Sequence, residues 1–228
     1  TKGLLLPLFL CTNKEGLSGQ LEECLSRLLT GNISENHSFD ILISTNVPCS
    51  SPRIMLFENH HNVNSIKFAS VDIKPEDDVF VYQESTIQEQ LAQTKQIPIL
   101  GFTSGPNKLF FETMLNINEG KFKNYKDILM LEADCRNLTY NWMDTICKYC
   151  RNNKFVIAGS RYRGNRGIVG PMIESWTGHL NGVGIYRTGE DLQFLLEGAM
   201  QYIAGQIQAK KEYYVNFDTA IHLFSQSL

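Results

Sequence analysis

Two acidic residues close an apolar run near the middle of the chain. In Asp127-Ile128-Leu129-Met130-Leu131-Glu132-Ala133-Asp134-Cys135-Arg136, four apolar residues are followed by Glu132 and Asp134, one residue apart. Such a run reads as a strand buried on both faces, in the middle of an α/β sheet. Side chains at i and i+2 of a strand point the same way. The spacing therefore predicts that both carboxylates aim into one cleft at the carboxyl end of a central strand, where open α/β sheets bind ligands. Two hard oxygen donors at that place suit Mg²⁺ or Mn²⁺, ions that commonly accompany phosphate groups. The competing reading is a solvated strand end.

Other residues have types and spacings that do chemistry. Ser104-Gly105-Pro106-Asn107-Lys108 opens a helix with Pro near its first position. Free N–H groups beside a Gly and a Lys make an anion site, with Asn107 and Lys108 as its side chains; simple capping with an exposed Lys is the alternative. His179 stands in the turn Trp176-Thr177-Gly178-His179-Leu180-Asn181-Gly182. It reads as a metal ligand, a donor to a ligand, or a satisfied structural histidine. Gly182 and Gly184 remove side chains where a ligand or backbone can approach closely. Arg161-Tyr162-Arg163-Gly164-Asn165-Arg166 opens a Gly- and Arg-rich stretch to Ser175 whose composition predicts a lid or substrate loop. Asp218 and His222 are four residues apart and share a helix face. His60-His61 lacks flanking ligands and reads as solvated loop. Cys147-x-x-Cys150 resembles a redox or half-zinc motif, but Met143, Ile146, Cys147 and Cys150 have the spacing of a buried helical stripe.

The elements that position these residues follow from periodicity. Leu4–Cys11 reads as the first strand, then a helix with Leu17, Leu21, Cys24, Leu25 and Leu28 on one face, then a strand over Phe39–Ser44. This β-α-β opening favours a parallel pair with a right-handed crossover. Residues 45–65 read as loop with a short apolar piece at Ile54–Phe57. Further strands are expected at 66–70, 79–82, 97–102, 128–131 and 155–160, and in the Gly-bearing segment that reaches Arg187. Helices are expected at 84–96, from Ser104, over Tyr140–Arg151, around Leu192–Ile203, and from Asp218 to the end.

Composition sets limits. The chain has 228 residues, 43% hydrophobic and 20% charged, which fits one globular domain. A net charge of −3 and a pI near 6.0 provide no electrostatic footprint for nucleic acid. No stretch reaches membrane-spanning length, and no signal peptide is visible. The six cysteines read as reduced, pointing to a cytoplasmic setting (host cytoplasm for a viral protein). The sequons at Asn32, Asn36 and Asn137 read as coincidence in an Asn-rich chain.

Glu132-x-Asp134 after its apolar strand resembles the DxD motif of GT-A fold nucleotide-sugar glycosyltransferases, with Glu in the first place. Two further segments agree in order. Val156–Ser160, the Gly/Arg loop and His179-Leu180-Asn181-Gly182-Val183-Gly184-Ile185-Tyr186 resemble the strand that passes under the sugar. Phe217-Asp218-Thr219-Ala220-Ile221 resembles the late acidic helix start. The pattern is similar to small single-domain members of the family, chlorella-virus ones included. The resemblance implies a Rossmann-like α/β domain with a mixed, mostly parallel sheet flanked by helices. Residues 1–134 would form its nucleotide-binding half and 135–228 its acceptor and catalytic half.

It also implies chemistry. A divalent metal held by Asp134, with Glu132 on the metal or ribose, would bridge the diphosphate of a nucleoside-diphosphate sugar, UDP favoured. Thr12, Asn13, Asn107, Lys108 and Ala133 would line the nucleotide, and Asn181 and Gly182 the sugar. Trp176 would offer it a flat apolar face. Arg163, with Arg161 and Arg166, would clamp the diphosphate. Asp218 is the expected general base toward a carbohydrate or glycoprotein acceptor, and His179 its catalytic companion. Helix capping by Asp218 is the alternative. Two rival functions remain: an inactive GT-A-like domain that binds carbohydrate or a partner, and a sugar nucleotidyltransferase. The second normally carries a Gly-rich, basic loop after strand one, which residues 12–19 do not provide.

Overall fold

The computed structural model describes residues 5–11, 17–30, 33–34, 37–46, 52–80, 100–122, 124–133, 135, 141–161, 179–209 and 215–228. Among them, six strands form one sheet: β1 (Leu5–Cys11), β2 (Phe39–Thr45), β3 (Val63–Ser70), β4 (Asp127–Leu131), β5 (Ile157–Arg161) and β6 (Leu180–Arg187), in the order β3-β2-β1-β4-β6-β5. β3, β2, β1 and β4 are mutually parallel, while β6 pairs antiparallel with both β4 and β5. Only β6 therefore runs against the rest. Six helices flank the sheet: α1 (Leu17–Leu29), α2 (Pro52–Met55), α3 (Ser104–Asn118), α4 (Trp142–Asn152), α5 (Glu190–Gln208) and α6 (Phe217–Gln226).

Strand alternation sorts the core into two layers. Leu5 and Phe9 of β1, Ile41 and Ile43 of β2, and Leu129 and Leu131 of β4 face a layer filled by Leu21, Cys24, Leu25 and Leu28 of α1 and Met143 and Cys150 of α4. Leu6 and Leu8, Leu42, and Ile128 and Met130 face the opposite layer, filled by Phe110, Met114 and Ile117 of α3, Leu192 and Leu196 of α5, and Ala220 of α6. Both faces of the central strands are dry, so their sequences are continuously apolar rather than alternating. The Cys147–Cys150 segment lies on the predicted helical stripe: Cys150 is buried, and Ile146 and Cys147 pack partly buried against the same layer. Burial pushes the Cys150 thiol up to about 11, the value of a packing thiol rather than a nucleophile.

At the amino end of the sheet, charges are buried and tied off. Arg187 Nε donates to Asp127 Oδ1 at 2.8 Å, its Nη1 donates to the Asn153 carbonyl at 2.8 Å, and its Nη2 reaches the Cys150 carbonyl. The guanidinium also lies 4.0 Å from the Phe155 ring centroid. One side chain thus joins β6, β4 and the open carbonyls at the end of α4. Asp40 takes hydrogen bonds from the Tyr125 hydroxyl and from Ser65 Oγ at 2.9 Å.

Two expected elements differ. The strand expected over 97–102 is absent at its described end: Leu100 is in a turn and Gly101–Thr103 forms a 3₁₀ turn. Gly101 has φ +76°, a left-handed conformation that no strand contains. Val79 and Phe80 are not strand, and residues 81–82 lie outside the described residues, as does the helix expected at 84–96. The apolar piece at Ile54–Phe57 spans α2 and a 3₁₀ turn, and Ile54 is fully buried.

Candidate active site

The acidic motif does not continue its strand. β4 ends at Leu131, and the Cys135 amide donates to the Glu132 carbonyl at 3.0 Å, closing a turn over residues 132–135. The ladder of β4 thus stops one residue before Glu132. Glu132 is exposed, Ala133 is half-buried, and Asp134 lies outside the described residues. The turn still stands at the carboxyl end of the central strand.

The same end of the sheet carries a cavity of about 480 Å³ along β5 and α6. Its volume is that of a small-ligand site. Asp218, Ile221, His222 and Ser225 of α6 line it at i, i+3, i+4 and i+7, one helical face, opposite β5 from Ile157 to Arg161. Asp218 is the second residue of α6, so Asn216 and not Asp218 holds the N-cap position. Asp218 Oδ1 accepts the Thr219 amide at 2.7 Å. Its Oδ2 lies 3.7 Å from His179 Nε2, with both side chains nearly buried. His179 immediately precedes Leu180, whose register partner across the edge is Arg161. The structure thus brings His179, Asp218, His222 and Arg161 together.

Tyr186 adds a group that periodicity concealed. Its ring lies back along its own strand: a Cβ at Gly184 would sit 3.5 Å from the ring and 3.3 Å from the Ala158 carbonyl. The tighter neighbour is backbone, the close approach of a ligand or backbone that the sequence suggested at this glycine. Burial, and then the charges of Asp218 and Glu132, push the Tyr186 phenol far above its ordinary value, so it stays protonated. Tyr186 and Asp218 both line the cavity. Burial, and then the charges of His179 and Arg161, hold His222 below its ordinary value. Near neutral pH it is an uncharged imidazole facing the cavity.

Other expected residues fall elsewhere. Asn107 is fully buried, and its amide nitrogen donates to the Leu100 carbonyl at 3.2 Å, Thr103 Oγ1 at 3.0 Å and the Val215 carbonyl at 2.7 Å. It ties α3 to the segment before α6. Lys108 Nζ lies 3.8 Å from both Asp77 and Glu112. The amino end of α3 is covered by the chain itself: the Gly105 amide donates to the Val79 carbonyl, Ser104 Oγ to the Asp77 carbonyl, and a Cβ at Gly105 would meet Asp78. The anion site expected there is corrected; the helix end already meets an acidic turn of its own protein. Thr12, Asn13, Arg163 and Trp176 lie outside the described residues, and Asn181 and Gly182 fall within β6. Sequence reasoning missed Tyr149, Leu195 and Ser225 as cavity walls. The helical spacing of Ser225 from Asp218 was the available signal.

Among the described residues, no cluster of three His, Cys, Asp or Glu side chains could hold a metal ion. Carboxylates toward that end include Glu132 in the segment after β4 and Asp218 on the cavity wall, beside His179. Hard oxygens of that kind fit Mg²⁺ or Mn²⁺ better than a softer ion. Among the described residues, no helix is long and apolar enough to cross a membrane.

No protein-family model matches the chain, and no curated protein matches it. Solved structures do. The mannosyltransferase Ktr4p from S. cerevisiae is similar with a TM-score of 0.52 at 12% identity, over 98% of this chain and 65% of that one. Mouse xyloside xylosyltransferase 1, in its apo form, is similar with a TM-score of 0.56 at 15% identity, over 98% of this chain and 81% of that one. The chain thus spans slightly less than two thirds of the first relative and most of the second. A six-stranded, mostly parallel sheet flanked by helices on both faces and its likeness to these two transferases give the chain a GT-A-like glycosyltransferase fold.

Proposed function

We propose that the chain is a metal-dependent glycosyltransferase that moves a sugar from a nucleoside-diphosphate sugar, UDP-linked by preference, to a hydroxyl of a carbohydrate or glycoprotein acceptor. The observation that carries this reading is the Asp218–His179 pair on the cavity side of the sheet's carboxyl end, where Glu132 follows β4. The fold supports it. A Mg²⁺ or Mn²⁺ held by Glu132 and Asp134 would offset charge on the departing diphosphate.

The chain's own residues do the rest. In an inverting transfer, Asp218 takes the proton of the attacking hydroxyl. The Thr219 amide holds one of its oxygens, leaving the other toward His179. His179 orients that oxygen, and the protonated Tyr186 hydroxyl offers a hydrogen-bond donor nearby. The walls from Ile157, Ala158, Leu195 and Ile221 exclude water from the reacting centre. Thr12, Asn13, Arg163, Trp176, Asn181 and Gly182 remain contact candidates for the donor. Asn107 and Lys108 do not, since their contacts are internal.

The test is calorimetric titration with UDP, GDP and their sugars, in Mn²⁺ and then in EDTA, on the wild type and Asp134→Ala. The expected result is metal-dependent binding of one nucleotide, lost in the variant. No nucleotide binding with metal present sinks the proposal. A second reading draws on one observation, the exposed turn that carries Glu132 off its strand. It makes the chain a binding domain of the same fold that retains carbohydrate affinity without metal and turns over no donor.

A further inference from the structure

We infer that Cys24 and Cys135 are positioning residues: their thiols hold the backbone at Glu132, the first acid of the motif. The inference rests on the reading of that motif as the metal site. Cys24 is in the middle of α1 and wholly buried, on the stripe shared with Leu21, Leu25 and Leu28. Its neighbours on that stripe meet apolar side chains. Its Sγ instead lies 3.7 Å from the Glu132 carbonyl and 3.6 Å from the Cys135 carbonyl, the two ends of the turn. One thiol donor thus spans both. From the other side, Cys135 Sγ accepts the Glu132 amide at 3.3 Å, while the Cys135 amide closes the turn on the Glu132 carbonyl.

The turn therefore has sulfur on both of its backbone faces. A thiol is compact, polarisable and a weak donor. It packs in an apolar layer as a small hydrophobe and still satisfies carbonyls that a strand ladder no longer reaches, because β4 ends at Leu131. The arrangement also links two parts of the nucleotide side: α1 follows the loop that bears Thr12 and Asn13, and its Cys24 grips the loop that bears Glu132. Groups that orient a metal's ligands typically change metal affinity by 10–100-fold when removed. A weak thiol donor belongs at the low end of that range.

Cys24→Val removes the donor in a somewhat larger apolar side chain, with Leu129 reporting any packing effect; Cys24→Ser keeps a donor. The measurement is amide hydrogen exchange, with Leu129 in mid-β4 as internal reference, together with Mn²⁺ titration of UDP binding. The expected result for Cys24→Val is exchange at Glu132 and Cys135 accelerated roughly tenfold or more, Leu129 unchanged, and Mn²⁺ affinity lowered by roughly tenfold. Cys24→Ser recovers most of the loss. Equal acceleration at Leu129 marks a general packing defect and overturns the inference, as does unchanged exchange at the turn. Should Cys24→Val fail to fold, the half-buried Cys135→Ala takes its place with the same expected pattern. Absence of any nucleotide binding by the wild type overturns the metal reading instead, and the exchange data still decide whether the thiols hold the turn.

Discussion

The two ends of the sheet carry similar side chains in different surroundings. At the amino end, Asp127 meets Arg187 at 2.8 Å, and the guanidinium's remaining N–H groups go to two carbonyls. Asp40 there is met by Tyr125 and Ser65. At the carboxyl end, Asp218 and His179 stand 3.7 Å apart, beyond hydrogen-bond distance, on the side of a cavity. Glu132 and Arg161 at that end are exposed. Charges that are buried and saturated hold elements together. Charges grouped along a cavity wall, some of them exposed, stand where a ligand can reach them, and such clusters mark functional sites. At the amino end, the end of α4 and the segment entering β5 bring the Cys150 and Asn153 carbonyls to Arg187.

The contrast is sharpest at Asp218. Asp218→Asn keeps the shape and an oxygen for the Thr219 amide but removes the base. Transfer activity is expected to fall about a thousandfold, while urea unfolding moves by under about 1 kcal/mol. A loss of stability as large as that of an amino-end variant would erase the distinction. Next comes Arg187→Ala, which leaves Asp127 buried without its partner and frees two carbonyls. It is expected to cost about 3–5 kcal/mol in denaturant unfolding, with nucleotide affinity unchanged in the folded fraction.

Tyr125→Phe removes a hydrogen bond to a buried carboxylate and is expected to cost about 1.5–3 kcal/mol. In the wild type, burial and then the Asp40 bond raise the Tyr125 phenol above its ordinary 10.0. A raised acid is deprotonated first in the unfolded chain. Its contribution is therefore complete below pH 10 and is lost as pH climbs above it. Melting curves from pH 9 to 11 should show a decline that Tyr125→Phe reduces.

The smallest effect belongs to His222, whose folded value is lowered from the ordinary 6.5. The unfolded chain takes up a proton there that the folded chain refuses, so stability falls as pH drops through 6.5. His222→Gln should flatten that part of the melting-temperature profile between pH 7 and 5. An unchanged slope would show that the imidazole charges freely at the cavity wall.

Much of the frame was legible in the sequence because burial on both faces leaves a continuous apolar signal. Strands at 5–11, 39–45 and 127–131 and the stripes of α1 and α4 follow directly from it. The strand expected over 97–102 fails at its described end, where the left-handed Gly101 opens a 3₁₀ turn that composition does not express. The acidic motif was legible as the end of its strand: the ladder stops at Leu131, one residue before Glu132. Asn107 had the type and place of a ligand contact, yet its partner Val215 lies 108 residues away.

The sequence by itself determined the fold class and the residue types at the carboxyl end, because hydrophobic period and acid spacing are local properties. Only the tertiary structure decided which of those residues meet. Asp218 joins His179 because α6 packs across β6, the Ala158 carbonyl approaches Gly184 because β5 pairs with β6, and Cys24 reaches the acidic turn because α1 packs beneath β4. Each of these contacts links distant or differently oriented backbone, and no periodicity along one chain records the distance between two side chains that only packing brings together.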